Sequence, residues 1–162
     1  MKTKKQNPAM YRQGDVAIER IASLASNLNP VPLEQGKVIL AHGEVTGHHH
    51  AFCSEEAEKF IDEKGSEYFR IKGRHIDLRL PVIRQWNGQV LVQHPDEGII
   101  EFSLADVEME NDRAHISGDF AMLKHDEHNA QGIPAGLYKG SGADGKVRQR
   151  EYSPSAIRFV LD

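Results

Sequence analysis

The residues in this chain best equipped for chemistry are histidines, and they are clustered. Gly43-Glu-Val-Thr-Gly-His48-His49-His50 sets three of the nine side by side, followed by Ala51, Phe52 and Cys53; a second group, His125-Asp126-Glu127-His128, lies far along the chain. In a strand, residues two apart share a face, so His48, His50 and Phe52 point one way and His49, Ala51 and Cys53 the other. His125 and His128 are three apart, and one tight turn puts them on a common side. If the two segments meet, His48, His50, His125 and His128 offer up to four imidazole nitrogens. That set suits a divalent transition metal such as zinc, iron, manganese, nickel or copper.

Three histidines plus a water would make an open, catalytic centre, in which the ion activates water or binds an oxygen-containing substrate. Glu127 and Glu44 are then the candidate proton-handling carboxylates, with Asp126 a further acceptor. Hydrolase and oxygenase chemistry both stay open. The competing reading is a non-enzymatic β-domain that binds a small ligand or a protein, the histidines serving as hydrogen-bonding groups around no metal or a structural one. The isolated His42, His75, His94 and His115 are read as surface or hydrogen-bonded residues, and Cys53 as a small core residue. Arg150, within Arg148-Gln-Arg-Glu-Tyr152, could hold an anion if its face is interior, although an exposed strand with ion pairs is the plainer expectation.

The elements that must position these residues read as short strands. Val16 to Ile21 alternates after Gly14, Lys37 to Ala41 is a short apolar run between glycines, and His48 to Cys53 continues as a strand. Ser54 with Glu55 and Glu56 resembles a helix start, so one short helix is expected over 54–64, ending at Lys64-Gly65. From Tyr68 the pattern is strand-like throughout. Asn87-Gly88 between two extended runs suits a type I′ hairpin, and Gly140 to Gly145 reads as a hairpin tip. The expected fold class is mainly β, a small β-barrel or β-sandwich. The expected organisation is a disordered basic N-terminus over 1–13 and one β-rich domain over 14–162. Leu91-Val-Gln-His94-Pro-Asp-Glu97 faintly echoes Met122-Leu-Lys-His125-Asp-Glu127-His128.

Composition narrows the function classes. The 162 residues carry a net charge of −4 with both signs interspersed, and Lys2, Lys4 and Lys5 are the sole basic run, which argues against a nucleic-acid partner. No apolar run is long enough to span a membrane, and the start lacks the apolar centre of a secretory signal. One cysteine excludes an intramolecular disulfide and fits a reducing compartment, so a cytoplasmic protein of a bacterial or phage-infected cell is expected. A small-molecule substrate is the partner a metal centre implies; oligomeric state is not readable.

Two resemblances add to this. Gly43, His48, His50 and Glu55 resemble the first motif of the cupins, a glycine, a few residues, His-x-His, then four residues and a glutamate, and Pro134-Ala-Gly136 is similar to the Pro-x-Gly of their second motif. That resemblance implies a cupin-like barrel around a metal ion. More broadly, Tyr11-Arg-Gln-Gly-Asp-Val16, Gly43 to His50, His125 to His128, Pro134 to Tyr138 and Arg148 to Tyr152 resemble a set of uncharacterised bacterial and phage proteins. It implies that the paired histidine segments form one module, with 76–123 an elaboration between them.

Overall fold

The structure, a computed structural model, describes residues 10–42 and 49–147. It is mainly β, with a closed five-stranded barrel and an additional sheet. The barrel is made by β8 (Arg74–Trp86), β9 (Gln89–His94), β10 (Gly98–Ser103), β12 (Arg113–His125) and β13 (His128–Pro134). Its ring runs β8–β9–β10 antiparallel, β10–β13 parallel, then β13–β12 and β12–β8 antiparallel, which leaves no free edge in the barrel wall. The β8–β9 turn is Asn87-Gly88, both at positive φ (57° and 79°), as a type I′ turn requires. Between β10 and β12 lie one 3-10 turn (Leu104–Asp106) and the short strand β11 (Glu108–Glu110).

The additional sheet has the order β1 (Met10–Gln13), β2 (Val16–Ile21), β14 (Gly136–Gly140), β7 (Glu67–Ile71), β6 (Ala57–Ile61) and β3 (Asn29–Pro30). The remaining pair, β4 (Lys37–His42) and β5 (His49–Cys53), joins the end of β12 through the Lys124–Ala51 pairing. Two hydrophobic cores result. Val90, Val92, Phe102, Ile116 and Phe120 fill the barrel, while Ile18, Leu40, Phe52, Phe69 and Tyr138 pack between the sheet and the β4–β5 pair. Complete burial of each such large side chain contributes about 1.5–3 kcal/mol. Strands β12 and β13 serve both cores, since Ala121, Leu123 and Ile133 face the second one. The segment 76–123 therefore supplies most of the barrel wall and has its own core.

Two expectations change. The helix over 54–64 is absent: Ser54 to Glu56 form a turn, with Glu56 N donating to Cys53 O, and Ala57–Ile61 is a strand paired residue for residue with β7. The stretch is too short for a stable helix, and the neighbouring strand satisfies its backbone groups while burying Ala57. The last residues of the expected disordered N-terminus are instead a strand, because Met10–Gln13 pairs with β2 and buries Tyr11 and Gln13; residues 1–9 lie outside the described residues. Among the described residues no helix is long and apolar enough to cross a membrane.

The join between sheet and barrel includes one buried polar contact. Tyr11 Oη donates to Asp106 Oδ2 at 2.8 Å, and burial holds the Asp106 carboxyl above its usual range, opposed by the Tyr11 bond and by Arg20. A raised carboxyl binds more protons folded than unfolded, so its contribution to stability is lost as pH rises through the folded value. Tyr11→Phe removes a bond that favours the charged form. Its cost should therefore grow from about 1 kcal/mol near pH 4 to roughly 2–3 kcal/mol near pH 7, as read by urea denaturation at the two values. An equal cost at both would refute the assignment.

Candidate functional site

The site lies where β1, β5 and the β12–β13 turn meet. His50 is inward on β5 and 2 % exposed; His125 ends β12, and His128 opens β13 as its cross-strand partner. The two distant segments do come together. Ring centroids stand 4.2 Å apart for His50 and His125, 4.8 Å for His125 and His128, and 5.8 Å for His50 and His128. Strand parity holds as well, since Phe52 is buried with His50.

Gln13, at the end of β1, determines the protonation of His50. Its Nε2 donates to Leu123 O at 2.8 Å and to Asn129 O at 2.9 Å, which fixes the amide and turns Oε1 toward His50 Nδ1 at 2.9 Å. An amide oxygen only accepts, so Nδ1 carries the hydrogen and Nε2 carries the lone pair. Burial, with His125 and His128 adding to it, pushes the His50 pKa down to about 3, so the ring is neutral near pH 7. Its Nε2 faces Asp15 Oδ1 at 4.0 Å. The two carbonyls that hold Gln13 belong to the strand ends bearing His125 and His128, so one side chain ties all three segments together.

His125 has the opposite tautomer. Its Nδ1 accepts the backbone N–H of Glu127 at 3.0 Å, so a neutral ring bears its hydrogen on Nε2. His94 does the same at the β9–β10 turn, accepting from Asp96 N and Glu97 N. The echo between the two sequence stretches thus corresponds to a shared device, a histidine that ends a strand and caps the following turn. His128 lies against the β1–β2 turn. Gly14 there has φ +60°, and a Cβ on it would stand 2.6 Å from His128 Nε2, so glycine is needed both for the turn and for the ring.

Sequence reasoning missed Gln13, Gly14 and Asp15, whose sole local signal is the Gly14-Asp15 turn. It missed Glu101 too, a carboxyl on β10 raised by burial and opposed by Arg84 and His128. Of the expected groups, His48 and Glu44 lie outside the described residues, as do Arg148 to Tyr152. Glu127 sits in the exposed β12–β13 turn, where its backbone N–H holds His125. Glu55, the glutamate of the cupin resemblance, pairs with Arg74 at the surface at 2.8 Å. Cys53 is exposed rather than a core residue, because β5 ends there and its outward face has no covering layer. His75 and His115 make surface pairs with Asp119 and Asp77.

Beside the cluster is a groove of about 500 Å³ whose lining includes Lys37, Cys53, Glu97, Lys124, His125 and His128. Lys124 is paired with Glu97 at 3.0 Å across it. Among the described residues, no group of three or more His, Cys, Asp or Glu side chains could hold a metal ion as placed. The ring packing gives a reason: the three rings lie partly stacked, and the lone-pair nitrogen of His50, Nε2, faces Asp15.

Fold and site define a mainly β protein, a closed five-stranded barrel with an attached sheet and a histidine cluster at their junction. A family described as a domain of unknown function, DUF8820, matches residues 12–80. The match takes in Gln13 and His50 and stops before the hairpin that carries His125 and His128. No curated protein and no solved structure matches the chain.

Proposed function

We propose that this chain is a metal-binding β-domain in which His50 and His128 are the primary ligands for one divalent transition ion. Asp15 is the carboxylate nearest to His50 Nε2, and His125 joins at the cost of its bond to Glu127 N. The observation that carries the reading is the Gln13–His50 pair. A buried neutral imidazole whose Nδ1–H is taken by a pinned acceptor presents Nε2 as a ligand, the arrangement that metal-binding histidines use. Chelation requires the rings of His125 and His128 to rotate about their side-chain torsions until their nitrogens converge, and His48, outside the described residues, is kept as the further ligand that its sequence position suggests.

Two histidines and one carboxylate leave coordination positions open, and a bound ion there would polarise a water or an oxygen-containing ligand. The groove beside His125 and His128 gives a small molecule its approach, with Lys37 and the Lys124–Glu97 pair as polar groups on its wall. Glu127 and Glu44 remain the candidate proton-handling groups on this reading, joined by Glu101. Elemental analysis of untagged protein should find about one transition-metal ion per chain, and its removal should lower the melting temperature by several degrees.

A second reading is favoured by the turn-capping bond of His125: a groove that binds a small anion without metal, with the histidines as hydrogen-bonding groups. Metal-free protein whose melting temperature ignores both chelator and added ions would establish that one over the first.

A further inference from the structure

The strand that turns His50 inward turns His49 outward, and there a second histidine pair forms. His42 and His49 are directly opposite in the β4–β5 ladder, and their Nδ1 atoms are 3.1 Å apart with rings nearly perpendicular, at 89°. Glu34 Oε1 stands 3.2 Å from the other nitrogen of His42, Nε2. We propose that His42 and His49 form a second, labile cation site, a cross-strand clamp for a borderline divalent ion such as Ni2+, Cu2+ or Zn2+, separate from the cluster around His50.

The geometry is close to what chelation needs. Ligand nitrogens about 2.1 Å from an ion are roughly 3.4 Å apart along a tetrahedral edge and roughly 3.0 Å apart along an octahedral one. The observed 3.1 Å lies between these, so the nitrogens need move only a few tenths of an ångström, while the two rings rotate to aim both lone pairs at the ion. Two like nitrogens at this distance otherwise share one hydrogen, one donating to the lone pair of the other. Glu34 favours the hydrogen of His42 on Nε2, which makes Nδ1 of His42 the lone-pair partner. For both Nδ1 atoms to face an ion, His49 then needs only to move its hydrogen from Nδ1 to Nε2. Ladder pairing fixes the two backbones, so little further ordering opposes binding.

With only two imidazoles contributed by the clamp, affinity should follow the ordinary order of divalent ions, Cu2+ over Ni2+ and Zn2+, rather than a tailored preference. The site goes beyond the metal centre proposed above and does not depend on it. Untagged full-length protein, its His49→Ala and His42→Ala variants, and His50→Ala would be titrated calorimetrically with Ni2+. Each of the first two substitutions should weaken one binding event at least tenfold and leave melting temperature unchanged, while His50→Ala retains that event. In heteronuclear spectra of the wild type, paramagnetic Ni2+ should broaden His42 and His49 amides. Equal Ni2+ affinity in wild type, His42→Ala and His49→Ala, or broadening confined to the His50 cluster, would overturn the proposal. Loss of the first centre alone, with the second event intact, would count against the function proposed above and not against this site.

Discussion

Gln13→Leu should lower the affinity of the histidine cluster for a divalent ion ten- to a hundredfold, the range found when a ligand's supporting hydrogen bond is removed. The same substitution should cost about 3 kcal/mol of stability, because it leaves His50 Nδ1–H and the carbonyls of Leu123 and Asn129 without the amide that joins them. His50→Ala goes further and should reduce bound metal from about one per chain to background. The two effects of Gln13→Leu are separable. A merely structural glutamine would lower the melting temperature while metal content, measured below the new transition, stayed at the wild-type level. A positioning residue changes the imidazole itself: nitrogen-15 spectra of the metal-free wild type should show His50 protonated at Nδ1, and the variant a mixture of tautomers. A wild-type ring protonated at Nε2 would end this account of the site.

The histidine cluster was half legible in the sequence, for a physical reason. Alternation along a strand is a local property, so the opposite facing of His49 and His50 could be read directly from their positions. The convergence of His50 with His125 and His128 is tertiary, and residue type alone suggested it. What could not be read was chemical state. The tautomer of His50 depends on a glutamine 37 positions earlier, and that of His125 on the turn it caps. The latter had a trace in the His94 echo, since the two stretches share a histidine ahead of an acidic turn.

Fold class was readable for a similar reason. Polar–apolar alternation and the Asn87-Gly88 turn are local signals that the sheet only reinforces. Ala57, Phe60 and Ile61 satisfy a helical spacing as well as a strand, and the decision came from β7, whose Ile71 and Tyr68 pair with Ala57 and Phe60. Short amphipathic stretches are decided by their neighbours in this way. The closure of the barrel was out of reach of local pattern, because the ring is completed by a parallel pairing, Ile100 with Ala130, between strands far apart in sequence.

The closing strand β13 also carries a glycine with no sequence signal, and its substitution should have the largest structural effect. Gly132 is buried on β13, opposite Met122 of β12, and a Cβ there would overlap Phe102 Cε1 and stand 2.5 Å from Cδ1. Phe102 cannot move aside cheaply. It is 0 % exposed in the barrel core and packs edge to face on Phe120, centroids 5.4 Å apart. Gly132→Ala should therefore destabilise by about 3 kcal/mol, the upper end for overpacking. For a chain of this size that is a fall in melting temperature of roughly 6–12 °C. If the cause is the ring edge, Phe102→Leu in the same chain should recover at least half the loss, although Phe102→Leu alone is destabilising. Strictly additive losses would place the cause in the backbone of β13 instead. Because His128 opens the same strand, Gly132→Ala should also weaken metal binding, and Gly132→Ala with Phe102→Leu should restore it along with stability.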